Sequence, residues 1–390
     1  MKKKISILCV SPFNSPHINP VYDEMAAQED VEVVRASLSP LSSDRLKLGW
    51  SEMTPDSPYL QPWRSMRDRL AYYRWLLQAD VIVMPGFFHL RTLPFQHWFR
   101  RLTNKTTVLW SEPFLNHPRT SHSFLSLTLR KLMLWPCNSS RYNLLATGHG
   151  ADKDYYALGM TRWNNWLYAF AVQPHEELKR DLTAPPVGGV HIVYSGTVVH
   201  RKGIDILIEA LGRPDIAGMK WRLTVVGDGD CRAELEGAAT RLKIAEKIKF
   251  IGAMPLNRCG DIYSTGDVLV LPSRFDGWGA VVNEAMEFGM AVITSDMVGA
   301  RTPLVKEGVN GLVFRNGDVA DLARCLSRLI GDQSLVVKMR LASRDRILMF
   351  RPDESARRVV ALCRGLVGDA PMPDYQEGLC SALFPAGTGV

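Results

Sequence analysis

No stretch of this 390-residue chain approaches about eighteen consecutive apolar residues, so no membrane-crossing helix is expected. The opening Met1–Val10, three lysines ahead of an apolar run, imitates a secretion signal. Its apolar part is too short for one, and Pro12 and Asn14 end it, so a first buried strand is predicted instead. Cysteine is sparse: seven residues, at positions 9, 137, 231, 259, 325, 363 and 380, with no two at metal-ligand spacing. An odd, scattered set excludes a disulfide framework and a cysteine zinc site, and predicts a reduced, cytoplasmic chain. Internal repeats and low-complexity blocks are absent, which excludes a solenoid.

What is present is the composition of a water-soluble globular protein, 46% hydrophobic and 22% charged, long enough for two domains. Short apolar runs alternate with helix-like segments, the pattern of α/β parallel sheets. In the first part, Ile5–Val10, Val31–Arg35, Val81–Met84, Thr107–Trp110 and Leu144–Thr147 read as strands. Helices are predicted over 21–28, 65–78, 92–102 and 121–134. Residues 173–189, with Pro185-Pro186 and Gly188-Gly189, read as a linker between a domain over 1–172 and another over 190–350. In the second, strands are predicted over 190–195, 222–226, 247–251, 268–271, 291–294 and 312–314. The predicted helices between and after them run to 330, and two closing helices follow within 333–366. Residues 369–390, rich in Gly and Pro, read as a loose tail.

Charge is uneven along the chain. Residues 1–170 hold 20 Lys and Arg against 13 Asp and Glu, whereas the remainder is balanced at 27 against 27. Between Arg64 and Arg141 twelve bases face only Asp68, Asp80 and Glu112, with Trp63, Tyr72, Tyr73, Trp75, Trp98, Phe99 and Trp135 interleaved. An anionic membrane face or a lipid diphosphate fits such a surface. Basic helices around an ordinary core, and nucleic acid, are the competing explanations; no nucleic acid is expected.

Two acids eight positions apart, Asp276 and Glu284, bracket Gly277-Trp278-Gly279 and the start of a helix-like run. One carboxylate falls on a loop and the other inside the helix. Such a pair suits a sugar hydroxyl and a ribose diol, and the turn between them offers N–H groups to a diphosphate. This segment resembles the acid-x7-acid signature of retaining GT-B glycosyltransferases of family 4, the glycosyl transferases group 1 set, although Asp276 stands where those proteins usually carry Glu. Other marks of the family follow in order: Ser195-Gly196-Thr197 with Arg201-Lys202-Gly203, Val225-Val226-Gly227-Asp228-Gly229, Phe250-Ile251-Gly252, and Gly289-x-Ala291-Val292-Ile293. Each falls at the carboxyl end of a predicted strand, where ligands of open α/β sheets bind.

The resemblance implies two Rossmann-like doubly wound domains facing a cleft, with a helix over 351–368 crossing back to the first. It implies transfer of a sugar, with retention, from a UDP- or GDP-sugar. The donor would be held by Gly196, Arg201, Lys202, Gly227, Asp276, Gly279, Ala280, Val281 and Glu284. Charge grows on the departing diphosphate, so the site needs cations and N–H donors there, roles open to Arg201 and Lys202. Glu284 would take the ribose diol or act only as a helix N-terminal acid, and Asp276 would take sugar hydroxyls or only shape an Asx turn. Arg274 is a further phosphate contact. Asp228-Gly229-Asp230 has metal-binding spacing but sits in a turn, so no cofactor and no metal are expected. The first domain would bind the acceptor through His17, Asn19, His117 or His149, with Glu112, His117 or His149 against the donor sugar. A lipid-linked saccharide of O-antigen, capsule or exopolysaccharide assembly is the expected acceptor, reached from the inner face of the plasma membrane. A small molecule, a protein acceptor, or a nucleotide-sugar epimerase on the same fold are the alternatives.

Overall fold

Strands buried on both faces need near-continuous apolar sequence, and this chain supplies two sets of them. A computed structural model describes residues 4–47, 50–115, 123–148, 150–174, 180–255 and 258–383. Two units are present, Met1–Gln173 with Met349–Val390, and Pro174–Leu348.

The first unit runs β1 (Ile5–Ser11), α1 (Asn19–Ala26), β2 (Val31–Ser37), α2 (Ser43–Lys47), β3 (Tyr59–Leu60), α3 (Met66–Gln78), β4 (Val81–Pro85) and α4 (Leu93–Arg101). It continues through β5 (Thr106–Ser111), α5 (Phe124–Leu134), β6 (Tyr142–Thr147), α6 (Ala151–Ala157) and β7 (Asn164–Tyr168). Its sheet order is 3-2-1-4-5-6-7, all parallel, the doubly wound order that places a switch point between β1 and β4. Serines start two of the outer helices: Ser65 Oγ accepts from Asp68 N at α3, and Ser123 Oγ from Ser126 N at α5.

The second unit contains β8 (Val190–Ser195), α7 (Ile204–Leu211), α8 (Pro214–Ala217), β9 (Trp221–Val226), α9 (Arg232–Arg241), β10 (Ile248–Gly252) and α10 (Cys259–Tyr263). After these come β11 (Val268–Leu271), α11 (Val281–Glu287), β12 (Ala291–Ser295), α12 (Arg301–Leu304), β13 (Gly311–Phe314), α13 (Val319–Gly331) and α14 (Gln333–Ile347). Its order, β10-β9-β8-β11-β12-β13, repeats the same winding, with the switch point between β8 and β11. Asp318 and Asp332 cap α13 and α14 by accepting from Asp321 N and Leu335 N.

The chain then returns to the first unit as α15 (Pro352–Val367), which packs on α1, and Arg364 meets the carboxylate and carbonyl of Asp30 at 2.5 and 3.0 Å. The segment over 369–390 is not wholly a loose tail: Leu379 and Cys380 are buried, and β14 (Ala382–Leu383) pairs antiparallel with β7. Within the expected linker over 173–189, residues 180–184 are tied to the second unit. Arg180 reaches Gly266 O and the Asp267 carboxylate, Leu182 packs beside Gly289, and buried Arg340 donates to Ala184 O (2.9 Å) and Asp181 O (3.2 Å). These bonds engage the two terminal nitrogens of a buried guanidinium, whose Nε has no partner among the described residues, and hold residues 180–184 against the rest of the second unit.

Candidate functional site

The loops after β8 and β11 lie on either side of the second unit's switch point, and they carry most of the residues named from sequence. A one-turn 3-10 helix, His200–Lys202, follows β8 and ends at Gly203. Gly203 has φ +68°, and a Cβ there would stand 2.0 Å from the carbonyl oxygen of Pro272, so only glycine lets these loops touch. That contact brings Lys202 Nζ to 2.5 Å from Asp276 Oδ2, with both side chains largely buried. Ser273 Oγ donates to the same carboxylate oxygen at 3.4 Å. Arg201 Nη1 donates to Phe275 O at 2.6 Å, and Arg201 O accepts from Arg274 N at 2.8 Å.

The acid loop is held from its far side as well. Asp276 N donates to Met297 O (3.1 Å), Gly299 N to Asp276 O (3.0 Å) and Ala300 N to Trp278 O (2.8 Å). Trp278 is buried, and its Nε1 donates to Asn283 Oδ1 at 2.8 Å, which pins the turn to α11. The N–H groups of Gly279, Ala280 and Val281 precede the first α-helical bond, Glu284 N to Ala280 O, and are the donors a helix start leaves over.

Glu284 lies one turn into α11, partly buried. Burial pushes its carboxyl up from 4.5 to about 7, against a lowering by the Tyr263 hydroxyl. Tyr263 Oη is 3.0 Å from Glu284 Oε2 and 2.9 Å from Ser195 Oγ. The single phenol proton goes to the carboxylate, and the serine hydroxyl donates to the phenol. Tyr263 thus ties the end of β8 to α11. It was missed in the sequence, because nothing near a Tyr at the end of a five-residue helix marks it.

Three residues take structural places. A Cβ on Gly227 would lie 1.8 Å from Gly196 O, at φ +133°, so close backbone packing requires glycine there. Arg274 is not open to a phosphate as expected: it forks onto Asp205 at 2.8 and 2.6 Å and donates to His200 O at 2.8 Å. Glu287 is buried and paired with Arg344 at 2.5 Å. In the Asp228-Gly229-Asp230 turn, Asp228 accepts from Gly229 N (2.8 Å) and pairs with Arg232 (3.5 Å). Among the described residues no group of three or more His, Cys, Asp or Glu stands ready for a metal ion.

In the first unit the loop after β1 holds His17, and Asn19 opens α1. Burial pulls the His17 imidazole down to about 4, so it is neutral at physiological pH. Its ring sits edge-on to Trp50 at 5.5 Å. His17 Nδ1 and Asn19 Oδ1 lack a hydrogen-bond partner among the described residues, while Asn19 Nδ2 donates to Asn14 Oδ1 at 2.7 Å. The Arg45 guanidinium lies 3.4 Å over Phe13 and 5.4 Å from Trp50. His89, after β4, is likewise held neutral by burial and lies 4.8 Å from Trp110. Arg45 and His89 were also missed from the sequence; each is an isolated polar residue with no motif around it. Glu112 follows β5 and is half-buried, within electrostatic reach of Arg45. His117 and His149 lie outside the described residues.

Against known proteins, the family model of glycosyl transferases group 1 matches residues 176–346, less than half of the chain. A 2-deoxystreptamine glucosyltransferase of Streptomyces kanamyceticus is 31% identical over 44% of this chain and 44% of its own. The lipopolysaccharide core biosynthesis glycosyltransferase LpsE of Rhizobium meliloti is 31% identical over 41% of this chain and 44% of its own. The match therefore spans less than half the length of these relatives. Likeness to solved structures extends further. The apo lipopolysaccharide outer core galactosyltransferase WaaB superposes with a TM-score of 0.64 at 16% identity, over 94% of this chain and 99% of that one. Anabaena Alr3699/HepE in complex with UDP gives 0.62 at 16% identity, over 92% and 98%. The fold of this chain, two parallel-sheet α/β domains, is therefore that of the GT-B glycosyltransferase structures, and its second unit matches glycosyl transferases group 1.

Proposed function

We propose that this chain is a retaining glycosyltransferase of family 4 that takes its sugar from a UDP- or GDP-sugar. The observation that carries the reading is the grouping at one switch point of Lys202 on Asp276, the leftover N–H groups of Gly279, Ala280 and Val281, and Glu284 behind them. A diphosphate seated on those N–H groups lies beside a lysine and an arginine. As the anomeric C–O bond breaks, its electron pair goes to the diphosphate oxygen, and these cations and dipoles stabilise the charge that develops. Asp276, held by Lys202 and Ser273, is placed for sugar hydroxyls. Glu284, as the carboxylate, accepts from the ribose diol. In this reading the positive charge comes from the protein and a divalent metal is not required. UDP complexes of HepE support a nucleotide-sugar donor.

The acceptor is assigned to the first unit, with His17, Asn19 and Glu112 among its contacts. Both histidines there are held neutral, so either serves as donor or acceptor to a sugar hydroxyl. A lipid-linked saccharide of cell-surface polysaccharide assembly is favoured by the basic, aromatic first part of the chain and by the likeness to LpsE and WaaB. Such an enzyme works as a peripheral protein at the membrane. A small soluble acceptor is the second reading, favoured by the likeness to a 2-deoxystreptamine glucosyltransferase. Thermal-shift screening of UDP- and GDP-sugars tests the donor, because a ligand stabilises in proportion to affinity and concentration. One nucleotide sugar is expected to raise the melting temperature and, with acceptor, to yield a product of unchanged anomeric configuration by NMR. An inverted product overturns retention, and no response to any nucleotide sugar overturns the donor reading.

A further inference from the structure

The outer helices of the first unit carry apolar side chains on the wrong side. On α4 the inward positions are Leu93, His97 and Arg100, all buried, yet Phe95, Phe99 and Leu102 recur at helical spacing on the opposite side and are exposed. Helix α5 repeats this: Leu127 and Leu134 face the core, while Leu125, Leu129 and Leu132 face out. So does α3, with Tyr72 and Leu76 buried and Met66, Leu70, Tyr73 and Leu77 outside. Phe124 at 86% exposure and Leu102 at 81% are more open than a scattered surface apolar residue needs to be.

The three stripes form one surface. Tyr73 of α3 stands edge-on to Phe99 of α4 at 6.4 Å. Trp98 Nε1 of α4 donates to Met133 O of α5 at 2.7 Å, and Arg101 Nε to Pro136 O, beyond α5, at 3.2 Å. Exposed Trp135 ends the face. Bases flank the stripes at Arg67, Arg69, Arg74, Arg101 and Lys131, and the only acid within the three helices, Asp68, is turned to the backbone N–H of Gln61. An apolar patch of this extent, rimmed by bases with one exposed acid, Glu32, beside Leu70 and Arg74 at its edge, is an interaction surface. A bilayer with anionic headgroups matches both features, because aromatic and aliphatic tips enter the headgroup boundary while arginine and lysine snorkel to phosphates. None of the described helices is long and apolar enough to cross a membrane.

We infer that α3, α4 and α5 form a platform by which this chain docks on an anionic lipid surface. The inference rests on the lipid-linked acceptor reading for its purpose but is separable from it by experiment. Flotation of the full chain with vesicles of phosphatidylcholine containing about a quarter phosphatidylglycerol is compared with phosphatidylcholine alone. Binding is expected to the first and not to the second. The variant Leu125→Ser/Leu129→Ser/Leu132→Ser should bind about tenfold more weakly or worse. A second variant, Arg67→Ala/Arg74→Ala/Lys131→Ala, keeps the stripes intact and should lose both affinity and its salt sensitivity. Each variant should retain the nucleotide-sugar thermal shift of the parent. Absence of parent binding, or unchanged flotation of both variants, overturns the platform while leaving the donor site standing. So does a parent dimer, by light scattering, that the serine variant converts to monomer, since a second copy then covers the face. Vesicle binding without any nucleotide-sugar response sinks the transferase reading and spares the platform.

Discussion

Replacing Glu284 by Gln should make the protein more stable and inactive at once. The native carboxyl sits at about 7 against an ordinary 4.5, so the folded state holds its proton more tightly than the unfolded one. The sign follows from linkage: a raised acid costs nothing below pH 4.5, costs progressively more as pH rises toward 7, and costs a constant amount above it. At about 1.4 kcal/mol per pH unit, the full penalty is about 3 kcal/mol. Glu284 keeps some contact with solvent, which reduces this to about 2 kcal/mol. Gln has the same length, still accepts from Tyr263 Oη, and carries no charge. A gain of about 2 kcal/mol in a domain of this size raises its melting temperature by roughly 4–8 °C. The assay is thermal unfolding of parent and variant from pH 4 to 8. The two melting curves should coincide near pH 4 and separate with the variant higher at pH 8. Saturating nucleotide sugar, at about a hundredfold over Kd, should stabilise the parent by about 2.7 kcal/mol and the variant far less. A variant less stable than the parent at pH 8, or a difference independent of pH, refutes the reasoning.

Lys202→Met leaves the Asp276 carboxylate without its cation beside the diphosphate. Turnover should fall by a barrier of about 2 kcal/mol, roughly thirtyfold in kcat/KM, with the fold retained by circular dichroism. Gly227→Ala should destabilise by about 3 kcal/mol or more, read as a lowered melting temperature, because its Cβ would stand 1.8 Å from Gly196 O. Tyr263→Phe removes the hydroxyl that lowers the Glu284 carboxyl, so the acidic limb of the kcat/KM profile should move to higher pH. Excess chelator should leave turnover intact, and its abolition would return a metal to the mechanism.

The frame of the second unit was legible because most of its strands are short apolar runs buried on both faces, and several of the glycines between them have a steric task. Gly203 shows this: the turn it permits sets Lys202 on Asp276, and all three residues stood out in sequence. What long-range pairing creates was not legible. The two-residue strand Ala382–Leu383 has no pattern of its own and exists because β7 leaves an edge to pair with. Arg274 looked available until Asp205, 69 positions away, claimed its fork. Tyr263 acts through Ser195 and Glu284, which only the sheet winding brings together. The exposed stripes of α3 to α5 were hidden for a different reason. Periodicity finds an apolar face but does not tell which of two faces is covered.

The central claim is that the second unit grips the nucleotide diphosphate between the loop of Arg201 and Lys202 and the start of α11. A structure of the chain with bound nucleotide sugar tests it directly. The account predicts phosphate oxygens within hydrogen-bond distance of Lys202 Nζ or the Arg201 guanidinium and of the Gly279–Val281 N–H groups, with the ribose diol on Glu284. A nucleotide bound away from α11, with Lys202 still closed on Asp276 and Glu284 untouched, would contradict it.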